Sequence, residues 1–231
     1  MSAFPAPILV LDRDRDSGER LAQQLAADGY RVEVARSTEH ARLLAGESPP
    51  RLALLGELDR PRAAIELLHE IRGGAWQDPN LPTVVLGTRA DQLDVLRAFE
   101  AGADDFLLRS GGYLELRARV GALLRRCDPA RETNARVEVG ALTIDTASRR
   151  ATLAGGHVDL RRLEFDLLVH LAREPTRVFH RVELLRSVWG YRCTGSSRTV
   201  DSHASRLRGK LDRERAGTWV IGVRGVGYRL T

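Results

Sequence analysis

Five short apolar runs in the first half constrain what this chain can fold into more than anything else in it. Ile8–Leu11, Val32–Ala35, Leu52–Leu55, Thr83–Leu86 and Phe106–Leu108 are mostly continuous rather than alternating. That is the pattern of parallel strands covered on both faces. Amphipathic stretches separate them. Residues 17–28 put Leu21 and Leu25 on one face, with Asp16 as the helix cap and Glu19 three residues later completing a capping-box pattern. Residues 61–72, 90–101 and 112–126 follow similarly. Five strands alternating with five helices predict a doubly wound α/β domain over residues 1–126. Functional groups in such sheets gather at the carboxyl ends of the strands. The positions to inspect are therefore Asp12-Arg13, Gly56, Gly87-Thr88 and Arg109.

The second half has a different grammar. Residues 127–135 are polar, contain Pro129 and read as a linker. Short β-type segments follow at Val137–Val139, Leu142–Asp145, Arg150–Leu153 and His157–Asp159, with Gly155-Gly156 closing a hairpin. Helical patterns then occupy about 161–173, 181–188 and 197–213, and Trp219–Leu230 alternates around Arg224-Gly225-Val226-Gly227 as a final hairpin. Sheet, three helices and hairpin predict a winged-helix (α+β) domain over 136–231. The 231 residues suffice for two such domains of about 100–130 residues each.

Charge is divided along the same line. Residues 1–126 carry a net −2 and residues 127–231 a net +7, so the second half is the one expected to meet a polyanion. Arginine supplies 35 of the 36 basic side chains, which weakens any argument from a single position being arginine rather than lysine. No run approaches the ~20 apolar residues of a membrane span, and Met1–Pro7 has no signal-peptide pattern. A cytoplasmic protein without membrane partners is expected. Cys127 and Cys193 lie far apart, form no metal-type cluster and read as unpaired.

The helix at 197–213 separates into two faces. Val200, Ala204, Leu207 and Leu211 recur at helical spacing and should face a core. Thr199, Ser202, Arg206 and Arg213 fall opposite, with Arg198, His203 and Arg208 at the edges. A merely solvated face would intersperse acids, yet only Asp201 lies between 198 and 211. Ser196 or Ser197 can cap the helix start, where backbone amides also suit a phosphate.

Several motifs then resemble a known family closely. Trp189-Gly190, Arg198-Thr199-Val200-Asp201-Ser202-His203, Arg206-Leu207-Arg208 and Val223–Arg229 resemble the effector domain of OmpR/PhoB-type response regulators. Leu163–Leu168 resembles the first helix of that domain. The first half is similar to the family's receiver domain, most clearly at Ile8–Asp12 and Gly102–Phe106. The resemblance implies a transcription factor rather than an enzyme, with double-stranded DNA as partner. Helix 197–213 would enter the major groove, with Arg206 reading guanine and Thr199 and Ser202 touching bases or phosphates. Arg198, His203 and Arg208 would hold phosphates, Arg224 would probe the minor groove, and Trp189 and Tyr228 would add backbone contacts or pack in the core. The loop Gly190–Ser197 is where relatives meet RNA polymerase. Arg161 and His180 stand where the first two helices usually carry a capping residue, a loss of about 1 kcal/mol each.

By the same resemblance the receiver chemistry needs an acceptor aspartate, two further acids for Mg²⁺, a hydroxyl and a lysine. Here these positions hold Gly56, Asp12 with Arg13, Gly87 and Arg109. At ~4 Å and an effective dielectric near 20, Arg13 and Mg²⁺ would repel by on the order of 8 kcal/mol. Glu57, Asp59 and Thr88 are poor substitutes, since a one-residue step along a strand turns a side chain to the other face. Arg13 and Arg109 are expected to pair with Asp12, giving a neutralised pocket that needs no cofactor; a pocket that merely decayed is the other reading. Homodimerisation is expected through residues 90–101, the strand at 106 and the last helix, using Asp104, Asp105, Glu115 and Arg119. Val95 replaces the usual arginine partner of Glu115, Arg97 lies nearby, and Phe106 stands at the aromatic switch position without a hydroxyl. The expected function is phosphorylation-independent control of transcription by a dimer on direct-repeat DNA. The alternatives are control by a ligand in the receiver pocket or phosphorylation at a non-standard acceptor.

Overall fold

The computed structural model describes residues 6–58, 63–88, 91–126, 136–191, 198–214 and 218–230. The expected linker 127–135, Cys127, Cys193, Asp59 and the capping serines Ser196 and Ser197 lie outside the described residues, as does the side chain of Arg213. The chain divides into two units, Met1–Leu124 and Arg125–Thr231.

In the first unit, β1 (Ile8–Leu11), α1 (Arg15–Ala27), β2 (Val32–Ala35), α2 (Thr38–Glu47), β3 (Leu52–Leu55), α3 (Ala63–Arg72), β4 (Thr83–Gly87), α4 (Gln92–Ala101), β5 (Asp105–Leu108) and α5 (Tyr113–Arg126) alternate. The sheet is parallel, in the order β2-β1-β3-β4-β5. Every residue of β1 and β3 is buried, each leucine or isoleucine contributing about 2 kcal/mol of transfer free energy. That two-sided burial is why those runs do not alternate. The start of α1 corrects an expectation. Its cap is Asp14, whose carboxylate accepts from the Asp16 amide at 3.2 Å. Asp14 lies in extended backbone two residues earlier and reaches the orphan amide first. Glu19 instead pairs with Arg15 at 2.8 Å and Arg36 at 3.0 Å. Gly18 lets α1 sit close on the strand ends, because a Cβ there would stand 3.3 Å from Val34 Cγ1 and 3.4 Å from Asp12 Cβ. Gly102 closes α4 at φ +107°, the left-handed conformation that favours glycine.

The second unit opens with an antiparallel meander of β6 (Arg136–Val139), β7 (Leu142–Asp145), β8 (Arg150–Leu153) and β9 (Gly156–Val158). Its last turn sits one residue earlier than expected. Leu153 pairs with Gly156, so Ala154 and Gly155 form the two-residue loop, with φ of +51° and +87°. Then come α6 (Arg162–Arg173), β10 (Phe179–His180), α7 (Arg181–Ser187), α8 (Thr199–Glu214), β11 (Val220–Val223) and β12 (Gly227–Leu230). The strand β10, unmarked in the sequence, pairs with β12 to make a three-stranded sheet in the order β10-β12-β11. Leu163, Leu167, Leu168 and Leu171 of α6 and Val200, Ala204, Leu207 and Leu211 of α8 are buried in this unit's core.

The junction of β10 and β12 depends on Gly227. A Cβ there would collide with the Phe179 carbonyl oxygen and stand 2.8 Å from the Phe179 carbonyl carbon. Backbone cannot yield as a side-chain tip can. Gly227→Ala is expected to destabilise the second unit by about 3 kcal/mol, measured as a shift of its urea midpoint, whereas the same change at Gly225, where a Cβ meets nothing within 4 Å, acts only through its φ of +74°.

Candidate functional site

Asp12, Gly56, Gly87 and Arg109 converge at the carboxyl ends of β1, β3, β4 and β5. Asp12 follows β1 with its amide donating to Ala35 O at 3.0 Å, and the Gly56 amide donates to Leu11 O at 2.8 Å. Asp12 is 2% exposed. Its Oδ1 accepts from the Asp14 amide at 3.0 Å, and its Oδ2 accepts a charge-assisted hydrogen bond from Arg109 Nη2. The other arm of that guanidinium donates to Ser17 Oγ at 2.7 Å. Burial lifts the Asp12 carboxyl above its ordinary range, against the opposing pull of Arg109 and the Asp14 amide. Ser17 was not marked by sequence reasoning. Separated from Arg109 by 92 residues, it is placed by the first turn of α1, and no local pattern signals such a pairing.

The space above Gly56 is taken. A Cβ added there would fall on Arg109 Nη2 and stand 2.7 Å from Asp12 Oδ2. The guanidinium therefore occupies the volume in which a side chain at the acceptor position would begin. Arg13 departs from expectation: it pairs with Glu57 at 3.2 Å, both side chains about half exposed, rather than with Asp12. One step past β1 its side chain leaves the pocket, and an exposed pair of this kind contributes at most about 1 kcal/mol. Gly87 ends β4 opposite Leu108, and Thr88 is exposed. These residues do not fit Mg²⁺. Asp12 is the sole carboxylate among the five positions, and Arg109 already holds it. Among the described residues no group of three His, Cys, Asp or Glu side chains could hold a metal ion.

The residues expected at a dimer surface divide. Asp105, fully buried, pairs with Arg119 at 2.8 Å, and Arg119 also bonds Glu115. Asp104 differs from expectation. Arg72, unmarked in the sequence, pairs with it at 2.9 Å while bonding the carbonyls of Gly102 and Leu81, and the Thr83 amide donates to it at 2.8 Å. Asp104 is thus committed inside its own unit. Leu93 and Leu96 of α4 and Leu114 of α5 are exposed apolar side chains.

On α8 the core stripe is as the spacing implied, but the outward face is rotated. Thr199 and His203 are buried. The imidazole Nδ1 lies 2.9 Å from Thr199 O, and the ring packs edge-on to the fully buried Trp189 at 5.3 Å. Thr199, His203 and Trp189 are core residues here, because positions 199, 203, 206 and 210 form a second stripe beside 200, 204, 207 and 211. Further along it, Lys210 Nζ donates to the fully buried Glu164 at 2.7 Å, and Arg206 Nε lies 3.6 Å from the same carboxylate. Glu164 also accepts from the Arg161 amide at 2.9 Å, so a side-chain acceptor caps α6 despite Arg161. The His180 side chain makes no cap bond to α7.

Tyr228 is also turned inward, and the part-exposed Asp201 is tied to it and to Arg181. Arg181 Nε donates to Asp201 at 2.8 Å, the Tyr228 hydroxyl donates to the same oxygen, and the guanidinium lies over the phenol ring at 5.2 Å. Burial and that hydrogen bond push the phenol up to about 12. Tyr228 thus serves packing rather than a phosphate contact. Arg208 Nε donates to Val220 O at 2.7 Å, tying α8 to β11. What remains outward is Arg198, Ser202, Ser205 and Gly209 at helical spacing, with Arg224 exposed at the hairpin tip. Ser205 and Gly209 carry no charge to mark them in the sequence, although the spacing 198, 202, 205, 209 places them on one face.

The comparisons with known proteins agree with this layout. A family model described as "Transcriptional regulatory protein, C terminal" matches residues 155–230. The DNA-binding response regulator MtrA of Mycobacterium tuberculosis is 37% identical over 230 residues, 99% of this chain and 98% of the relative. The chain belongs to the OmpR/PhoB-type response regulators. PrrA of Mycobacterium leprae, a transcriptional regulatory protein, is 36% identical over 224 residues, 96% of this chain and 95% of the relative. Among solved structures, a mutant of RitR aligns with a TM-score of 0.72 at 26% identity, over 98% of this chain and 99% of that one. The response regulator DrrB of Thermotoga maritima, an OmpR/PhoB homologue, aligns with a TM-score of 0.51 at 26% identity, over 99% of this chain and all of that one. This member of the family is therefore a DNA-binding regulator, and no helix among its described residues is long and apolar enough to cross a membrane.

Gly209 offers a direct test of the outward ridge. It lies inside α8 with nothing within 4 Å of a built Cβ, where alanine normally stabilises a helix by about 1 kcal/mol. Gly209→Ala is expected to raise the thermal midpoint of the second unit while weakening DNA binding, if the outward ridge is the face that the family resemblance assigns to the groove. Calorimetry and an anisotropy titration read the two opposite signs.

Proposed function

We propose that this protein regulates transcription without aspartate phosphorylation, as a dimer on direct-repeat DNA. The observation that carries the reading is the Asp12–Arg109 pair lying in the volume above Gly56. An acceptor there would lack space, its metal would meet a carboxylate already neutralised, and Arg109 takes the place beside Asp12 that a metal would otherwise fill. Glu57 is a weak substitute acceptor because Arg13 engages it away from Asp12.

DNA recognition is proposed to run through α8 and the hairpin. Arg198 and the free arms of Arg208 meet phosphates, Ser202 addresses base edges, and Arg224 enters the minor groove, whereas Arg206, expected to read guanine, is turned toward the buried Glu164 and is assigned no base. Several phosphate contacts make the affinity fall steeply with salt. Dimerisation is proposed through α4, β5 and α5, where Leu93, Leu96 and Leu114 are exposed beside Glu115 and Arg119. The loop Gly190–Ser197, whose residues 192–197 lie outside the described set, is the segment assigned to RNA polymerase by family resemblance.

Three experiments test this. Untreated protein should bind its DNA as tightly as protein incubated with a small phosphodonor and Mg²⁺, and intact mass should show no added phosphoryl group of ~80 Da. A stable adduct overturns the proposal. Gly56→Asp alone should remain unphosphorylated and lose stability, since its Cβ meets the guanidinium. Arg109→Ala should destabilise the first unit by about 3 kcal/mol, by stranding a buried carboxylate, and should weaken dimerisation and DNA binding. Unchanged values for both would show that the pocket plays no part in control.

A further inference from the structure

A cleft of about 330 Å³ lies in the first unit between α1 and the β5–α5 corner. Leu21, Leu86, Leu107, Leu116 and Tyr113 give it apolar walls. At its polar end stand Ser17, Arg20 and the Asp12–Arg109 pair. The size falls at the lower end of the range typical of small-molecule sites, and the composition, apolar with a few convergent polar groups, is theirs too.

The charges define what could bind. Arg109 is offset by Asp12, but its Nε is buried with no hydrogen-bond partner among the described residues. Arg20, at the mouth, has no hydrogen bond or ion pair among them. Two donors of positive charge, one buried and one open, face an apolar wall with one carboxylate already consumed. We infer that this cleft binds a small amphipathic anion, an aromatic carboxylate of one or two rings, with its ring against the leucines and Tyr113 and its carboxylate on Arg20 and Arg109.

The site is not the acceptor pocket. Asp12 and Arg109 border both, but the cleft is otherwise lined by α1, β4, β5 and α5 residues, with Gly56 and Gly87 outside its lining. A bound anion would touch α1 and α5 together. On α5, Leu116 lies in the cleft wall, next to Glu115, which bonds Arg119 and through it Asp105. Occupancy of the cleft is thereby read by the helix that carries the proposed dimer surface. The inference rests on the phosphorylation-independent reading, and names the signal that would replace phosphate.

The test uses the full-length chain and 2-naphthoate as probe, with neutral 2-naphthamide and inorganic phosphate as controls. Calorimetric titration should give saturable 2-naphthoate binding with a Kd of about 1 mM or below, and a raised thermal midpoint for the first unit. Both controls should bind at least about tenfold more weakly, since one lacks the charge and the other the apolar body. Arg20→Gln should weaken 2-naphthoate by about tenfold. Gln24→Trp, which fills the mouth from an exposed position of α1, should block it, and both variants should keep the unliganded thermal midpoint. Absence of saturation, equal binding of phosphate or of the amide, or indifference to both substitutions overturns the inference. The phosphodonor mass measurement is independent of every one of these outcomes, so failure of the ligand site and failure of the phosphorylation-independent reading are read separately.

Discussion

A carboxylate buried at the carboxyl end of a parallel sheet must find a partner, because leaving a charge desolvated and unpaired costs several kcal/mol. In an active receiver that need is met from outside, by a metal ion. Here Arg109 meets it from within, bonding Asp12 with one arm and Ser17 with the other. Lysine could supply the charge at this position but not the two-armed geometry that joins β1, α1 and β5. The substitutions at the pocket are consequently coupled. Gly56 is required by where the guanidinium lies, and the guanidinium leaves Asp12 no use for a metal.

The second unit meets the same electrostatic problem at Glu164 and adds a part-exposed cluster at Asp201. Glu164 is fully buried and gathers the Arg161 amide, Lys210 and the nearby Arg206, fixing α8 against α6. Asp201 gathers Arg181 and the Tyr228 hydroxyl, fixing the start of α8 against α7 and β12. Both acids belong to a domain of strongly positive net charge. Each is spent on orienting the helix, which leaves its outward ridge without a competing negative charge before Asp212.

Much of this was legible in the sequence, and the omissions have physical reasons. Continuous apolar runs located β1 and β3 residue for residue, because burial on both faces leaves no alternation to misread. Helix α2 was counted but not placed: its buried side chains are Thr38, Ala41 and Ala45, too small to draw an apolar stripe. Gly56 and Arg109 were visible as misfits, yet Ser17 and Arg72 were not, since ordinary polar residues acquire their roles only from partners far along the chain. On α8 the charge pattern misled. Thr199 and His203 look like contact residues, but a helix flanked by both α6 and Trp189 buries a wider arc than its apolar residues declare.

An internal ion pair differs from a phosphoryl group in one decisive respect. It has no off state supplied by a second enzyme, so on its own it holds one arrangement of the strand ends rather than switching between two. An equilibrium between conformations moves only when something binds one of them better. For this chain that differential binding cannot arise above Gly56, where the guanidinium already fills the space. On the proposed reading it arises elsewhere: at the α1–α5 cleft, where Arg109 Nε has no hydrogen-bond partner among the described residues, or on α4 and α5, where leucines are exposed. On that reading, glycine at position 56 relocates control rather than removing the means for it.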